Sequence, residues 1–343
     1  MFDLDTLVRP NVRKLTPYSC ARDDYQGKEG IFLDANENPF GALNRYPDPY
    51  QQELKAAVSK VKGVPVEKIF LGNGSDEIID LCFRIFCRPG IDKALTFSPS
   101  YGMYEVSASV NDIQMIRIHL DENFRIDFNE VRPWLSDRNL KLILICSPNN
   151  PTGNCMVRSV VEKIIKSFQS IVLVDEAYID FAEEKSLKSV IDKYPNLIVM
   201  QTFSKAFGMA AVRVGMAFAS PEIVHYFNKM KPPYNISTIN QRTVLQRIKK
   251  SDLYKDQVSR IISERRRVTG ELKKLAVTRQ VYPSDANFIL VKVNNAGKIY
   301  DSLVRRGIIV RNRSSVADNC LRITVGTKAE NNKLLKALKE IEL

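Results

Sequence analysis

One lysine of this 343-residue chain stands where an amine could act as a nucleophile. It lies in Thr202-Phe203-Ser204-Lys205-Ala206-Phe207-Gly208, a loop of mostly small residues between apolar runs at 197–200 and 214–219. Hydroxyls flank it at Thr202 and Ser204, and Arg213 follows eight residues on. Such surroundings suit a lysine that forms a Schiff base, with donors nearby for an anionic group. Gly72-Asn73-Gly74-Ser75-Asp76-Glu77 joins a strand-like to a helix-like segment. Its glycines allow tight backbone geometry, and free N–H groups at a helix start bind anions. In Ser147-Pro148-Asn149-Asn150-Pro151-Thr152-Gly153, prolines and glycine fix an irregular loop that can aim an asparagine amide at a ligand. Finally, Val172-Leu173-Val174-Asp175-Glu176-Ala177-Tyr178 ends an apolar run with an acid and, three residues later, a tyrosine. A carboxylate at that point is costly unless it meets a cation or a strong donor. A protonated ring nitrogen would serve.

These groups need elements to hold them. From about residue 65 to 220, short apolar segments alternate with helix-like ones. Strands are expected at 69–71, 94–97, 113–118, 140–146, 171–174, 197–200 and 214–219. Helices are expected at 76–86, 104–110, 157–168 and 187–194. Continuously apolar strands between helices argue for an α/β fold with a largely parallel sheet covered on both faces. Ligands bind such sheets outside the carboxyl ends of the strands, where the four clusters fall. After Pro232-Pro233 the texture changes to a long charged helical stretch at roughly 243–275. It leads to strands at 287–293, 308–311 and 321–325, with helices near 297–306 and from 328 onward. The organisation expected is an N-terminal arm at 1–40, a large domain at 41–240 and a smaller α+β domain at 241–343. The arm has no core of its own and is expected to pack on the small domain or on a partner subunit.

Composition excludes several classes. At 44% hydrophobic and 26% charged, the chain falls in the globular range. No apolar run approaches the ~18 residues that span a bilayer, and the acidic start Met1-Phe2-Asp3-Leu4-Asp5 is unlike a signal peptide. The six cysteines include no CxxC pair and suit reduced thiols in the cytoplasm. His119 and His225 lack metal-ligand spacing, so no metal is expected. The net charge of +12 is densest at 260–274, where Glu264 and Glu271 interleave with Arg265-Arg266-Arg267 and Lys273-Lys274. That pattern predicts a solvated helix face. Without a nucleic-acid motif or interleaved aromatics, the excess charge suits attraction of small anions.

The chain resembles the fold-type I aminotransferases that use pyridoxal phosphate (PLP), and within them the histidinol-phosphate aminotransferase family. The likeness spans nearly the whole length. It runs through Val8-Arg9-Pro10-Asn11, Leu15-Thr16-Pro17-Tyr18, Leu33-Asp34-Ala35-Asn36-Glu37-Asn38-Pro39 and Asn44-Arg45-Tyr46-Pro47-Asp48-Pro49. It continues through Gly74-Ser75-Asp76-Glu77, Ser98-Pro99-Ser100-Tyr101-Gly102-Met103-Tyr104 and the four clusters above, to Cys320-Leu321-Arg322-Ile323-Thr324-Val325-Gly326. The resemblance implies a mostly parallel seven-stranded sheet between helices in the large domain. It also implies roles. Lys205 would carry PLP and move the substrate Cα proton. Asp175 would pair with the pyridine nitrogen, and Asn150 and Tyr178 would bond its phenolic oxygen. Tyr101 would stack on the ring. Ser75, Asp76, Thr202, Ser204 and Arg213 would hold the phosphate, joined by Tyr46 from the other subunit of a homodimer. Arg322 with Arg311, helped by Tyr18 and Asn150, would take the anion of either substrate. Ala211 stands where a second glycine often occurs.

The implied reaction is a ping-pong transfer between L-glutamate and imidazole acetol phosphate, giving histidinol phosphate and 2-oxoglutarate in histidine biosynthesis. An aromatic or aspartate aminotransferase and a threonine-phosphate decarboxylase are the alternatives on the same scaffold. A PLP-fold sensor joined to DNA recognition would need an N-terminal helix-turn-helix module, for which some 40 residues before the core are too few.

Overall fold

The computed structural model describes residues 3–18 and 30–341. Among these residues, eleven strands form two sheets. The large sheet holds β1 (Ile69–Gly72), β2 (Lys93–Ser98), β3 (Gln114–His119), β4 (Leu140–Cys146), β5 (Ile171–Asp175), β6 (Leu197–Thr202) and β7 (Gly215–Phe218), in the order β1-β7-β6-β5-β4-β2-β3. All neighbours are parallel except β7, which runs antiparallel to both β1 and β6. The small sheet holds β8 (Thr278–Val281), β9 (Phe288–Val293), β10 (Arg311–Asn312) and β11 (Cys320–Thr324), antiparallel throughout in the order β10-β11-β9-β8.

The apolar runs of the large sheet are continuous because alternate residues feed two cores. One face takes Leu95, Ile143, Ile145, Val172, Val174 and Val199. The other takes Ala94, Leu142, Leu144, Leu173, Ile198 and Met200. The α-helices among the described residues are α1 (Leu4–Leu7), α2 (Pro10–Lys14), α3 (Gln52–Lys62), α4 (Ser75–Phe86), α5 (Met103–Val110), α6 (Phe128–Val131), α7 (Arg158–Ser167), α8 (Pro221–Met230), α9 (Thr238–Ile248), α10 (Ser251–Leu272), α11 (Ala296–Arg305) and α12 (Lys328–Lys339). Helices α3, α7 and α9 cover the first face, while α4, α5 and α8 cover the second. A third core lies between the small sheet and α10, α11 and α12. The N-terminal half of α10 packs through Tyr254 and Val258 on the large core, and Val268 and Leu272 join the small one. That helix therefore ties the two sheets together.

Five expectations are corrected. The arm helices pack on the large domain, not the small one. Val8 and Val12 join the core of α4 and α8, the Arg9 amide donates to Ile85 O at 2.9 Å, and Tyr226 Oη donates to Asp5 at 2.7 Å. The helical stretch at 243–275 is interrupted at Lys249-Lys250, where clustered like charges are followed by Ser251-Asp252, favourable at a new helix start. Residues 187–194 form only a short turn, Leu187–Val190, because the β-branched Val190-Ile191 pair and Pro195 leave no room for a longer helix. The strand at 308–311 pairs only from Arg311, since Ile308 and Val310 turn into the small core. Not all of the basic segment faces solvent either. Arg265 is buried and donates to Phe181 O and Ala286 O, across the junction of the two cores.

Candidate active site

Four strand ends build one cleft. Asp175 and Thr202 are the last residues of β5 and β6, Cys146 is the last of β4, and α4 starts just after β1. The cleft, about 230 Å³, is lined by Ser75, Asp76, Tyr101, Cys146, Asn150, Asp175, Ala177, Tyr178, Thr202, Ser204, Lys205, Ala210, Arg213 and Arg322. Eleven of the residues expected from the sequence are thus brought together, from segments as distant as Ser75 and Arg322.

At the floor, Asp175 is fully enclosed. Its Oδ2 accepts from Tyr104 Oη at 2.8 Å, and its Oδ1 from the Ala177 amide at 3.0 Å. Burial raises its pKa to about 6, against the pull of those two donors; nearby Asp76 raises it and Lys205 lowers it. Among the described residues only these neutral donors touch the carboxylate, so the site favours a cation arriving there. Tyr104, three residues beyond Tyr101 and edge-on to its ring at 5.5 Å, is a residue holding the site that sequence reasoning missed. Its signal was the second tyrosine of the Tyr101-Gly102-Met103-Tyr104 run.

At one end the cleft is an anion cradle. The first-turn amides of α4 have no intrahelical acceptors, and Arg213 reaches over them to Asp76 Oδ2 at 3.2 Å. Tyr101 Oη donates to Asp76 Oδ1 at 3.3 Å. The Thr202 hydroxyl lies 3.0 Å from the Ser204 hydroxyl. Arg213 holds a left-handed backbone (φ 53), a strained conformation for a non-glycine residue. Ala211 meanwhile sits exposed in the turn Ala210–Val212 with no positive φ, so its methyl is accommodated. Two glycines keep the cradle closed. A Cβ on Gly74 would lie 2.5 Å from the Arg213 guanidinium, and one on Gly215 would lie 2.6 Å from the Gly74 carbonyl carbon and the Ser75 nitrogen. Gly215→Ala is therefore expected to push α4 away from β7, lower stability by about 1–3 kcal/mol and weaken anion binding. Urea denaturation and phosphate titration read both effects; a variant matching the parent in both would contradict this geometry.

At the other end, Arg322 donates to Asn150 Oδ1, and Asn150 Nδ2 donates to Tyr178 Oη at 3.3 Å. Phe288 of β9 packs edge-on to Tyr178 at 5.1 Å and lies under Arg322, 5.3 Å from ring centre to guanidinium carbon. Lys205 Nζ lies 5.6 Å from the Tyr178 ring centre. Burial lowers the Lys205 pKa, and Arg322 and Arg213 lower it further while Asp175 opposes. The loop 147–153 is fixed by Asn149, which donates to Pro99 O at 2.9 Å and to Thr152 Oγ1 in the same loop at 2.8 Å.

Three expected residues do not line the cleft. Arg311 pairs directly across the strands with Arg322. Tyr46 stacks on Tyr234 at 4.5 Å, in a surface hollow formed by residues 36–38, 43–47 and 237–239. Tyr18 is 73% exposed at the end of a described segment. Among the described residues no cluster could hold a metal ion, no cysteines are paired, and no helix is long and apolar enough to cross a membrane. Cys20 lies outside the described residues.

Comparison with known proteins places the chain that carries this cleft in a family. The family model for aminotransferases of class I and II matches residues 25–338. The chain belongs to that family. Among aminotransferases it is 51% identical to the histidinol-phosphate aminotransferase of Parabacteroides distasonis, with 100% of both chains covered. The crystal structure of the histidinol-phosphate aminotransferase from Clostridium acetobutylicum superposes with a TM-score of 0.80 at 26% identity, covering 89% of this chain and 97% of that one. The Sinorhizobium meliloti histidinol-phosphate aminotransferase, solved in complex with pyridoxal-5'-phosphate, shares the fold at a TM-score of 0.78 and 24% identity, over 89% of each chain.

Proposed function

We propose that this aminotransferase is a PLP-dependent histidinol-phosphate aminotransferase, exchanging the amino group between L-glutamate and imidazole acetol phosphate to give L-histidinol phosphate and 2-oxoglutarate. The observation that carries the reading is half identity, over the full length, to relatives of that name, joined to a cleft whose mouth is set with arginine. The residues fit PLP. The cradle of Ser75, Asp76, Thr202, Ser204 and Arg213 suits its phosphate, and the enclosed Asp175 carboxylate, touched only by neutral donors, suits a protonated ring nitrogen. Bound PLP supplies the electron sink for breaking the bond to the substrate Cα proton.

The chain's own groups do the rest. Lys205 would hold the cofactor and, when free, would take the proton from the substrate Cα; desolvation and the neighbouring cations favour the neutral amine that this needs. Asn150 and Tyr178 orient the phenolic oxygen side of the ring, with Asn150 itself held by Arg322. Tyr101, braced by Tyr104, would stack on the ring. Arg322 and Arg311 receive the anion of the incoming substrate, helped by Tyr18.

A homodimer completes this reading. Ile31, Leu33, Phe40, Leu43 and Tyr46 leave large apolar surfaces exposed on one stretch of chain, together with Ile239 beside it. Covering that stretch with a second copy would bring Tyr46 to the partner's phosphate cradle. Histidine biosynthesis and unpaired, mostly buried cysteines support a cytoplasmic location.

The test is a substrate panel with purified, PLP-loaded protein. Histidinol phosphate is expected to turn over with 2-oxoglutarate far faster than phenylalanine, and threonine phosphate to release no CO2. Phenylalanine turned over as fast as histidinol phosphate, or CO2 release, would contradict the substrate assignment.

A further inference from the structure

A third arginine stands beside the two already assigned to the substrate anion. The β10–β11 pairing sets Arg311 directly opposite Arg322, and the ladder continues as the Arg313 amide donates to Cys320 O at 2.8 Å. Side chains alternate along a strand, so Arg313 shares the face of Arg311 and Arg322. Its guanidinium is part-buried, its Nε is sealed from solvent without a hydrogen-bond partner, and no carboxylate pairs with any of the three arginines among the described residues. Burial lowers the Arg313 pKa, as do Arg322 and Arg311, which places the three charges within electrostatic reach of one another.

Three neighbouring like charges with no acid between them repel, and leaving a buried guanidinium donor unpaired is costly. An anion resolves both. A carboxylate offers two oxygens, which one guanidinium fork satisfies; a phosphate ester offers three terminal oxygens and up to two charges. Arg322, which lines the cleft and is already fixed on Asn150, suffices for the α-carboxylate of glutamate.

We propose that Arg313 is a specificity-determining residue, the third guanidinium of a site that holds the phosphate ester of the phosphorylated substrate and adds little to binding of glutamate. The assignment rests on the proposed function and deepens it. It also explains how one mouth can accept two substrates of different charge, since each would use a different share of the same arginines.

The test compares the holoenzyme with R313Q and R313K, measuring KM separately for histidinol phosphate and glutamate, and the dissociation constant of inorganic phosphate by calorimetry. R313Q is expected to raise KM for histidinol phosphate and the phosphate constant by about tenfold or more, with KM for glutamate changed less than about twofold. R313K, which keeps the charge but loses the fork, is expected to fall between. Equal rises for both substrates, or unchanged phosphate binding, would overturn the assignment. If the parent enzyme ignores histidinol phosphate, the functional reading fails; phosphate binding to the same variants still decides the role of Arg313. If R313Q does not fold, R313K carries the comparison alone, and parent-like phosphate binding by it overturns the proposal.

Discussion

Lys205→Ala is expected to lower amino transfer by ~10³-fold or more while leaving the thermal midpoint nearly unchanged. The two halves of that expectation come from the same observation. Among the described residues no hydrogen bond or ion pair ties Lys205 Nζ, which approaches only the Tyr178 ring. Truncating it removes no structural contact of consequence. What it removes is the one amine in the cleft, placed between the enclosed Asp175 and the cations Arg322 and Arg213. Lys205→Arg should be equally inactive. A guanidinium keeps the charge but cannot give up its proton near neutral pH, so it can neither attach a carbonyl nor accept the Cα proton. Rates measured under single-turnover conditions, alongside melting curves, check both variants. Activity within tenfold of the parent in either would remove Lys205 from the chemistry.

Asp175→Asn is expected to act in opposite directions with and without the cofactor. In the cofactor-free protein the carboxylate pKa is about 6, raised chiefly by burial from 3.8. The folded state therefore binds the proton more tightly than the unfolded one. Stability falls as pH rises from about 4 to 6, and the penalty is fully present above that window. Two units correspond to about 3 kcal/mol, so the neutral asparagine is expected to stabilise the cofactor-free protein by up to that order at pH 8 and hardly at all at pH 4. Tyr104 Oη, which can accept as well as donate, allows the amide to fit. With PLP bound, the same substitution removes the anion that keeps the ring nitrogen protonated, and the rate is expected to fall by ~10²–10³-fold. Denaturation of the cofactor-free pair at pH 4 and 8, followed by kinetics of the loaded pair, reads both signs. A less stable cofactor-free variant at pH 8 would contradict the account of Asp175 as a cation site.

Much of this was legible in the chain because the relevant signals are local. Strands such as β4 rest on continuous apolar runs, here Leu142 to Cys146, and the turns that carry Ser75, Asn150 and Lys205 are marked by glycine, proline and small residues. What was not legible depends on pairings across the sequence. Tyr104 bonds Asp175 only because α5 lies against the sheet face under β4 and β5, a contact spanning 71 residues. The docking of Val8 and Val12 on α4 and α8 is likewise set by packing, since their short helices carry no address in their own pattern. The place of Arg313 beside Arg322 follows only from the pairing of its strand with β11, which no local pattern specifies. The break at Lys249-Lys250 escaped periodicity because both flanking segments favour helix.

The most direct measurement is borohydride reduction of the PLP-loaded protein, followed by proteolysis and mass spectrometry of the peptides. A single phosphopyridoxyl group on Lys205 is the result this account predicts. A label on any other lysine, or none, would contradict it.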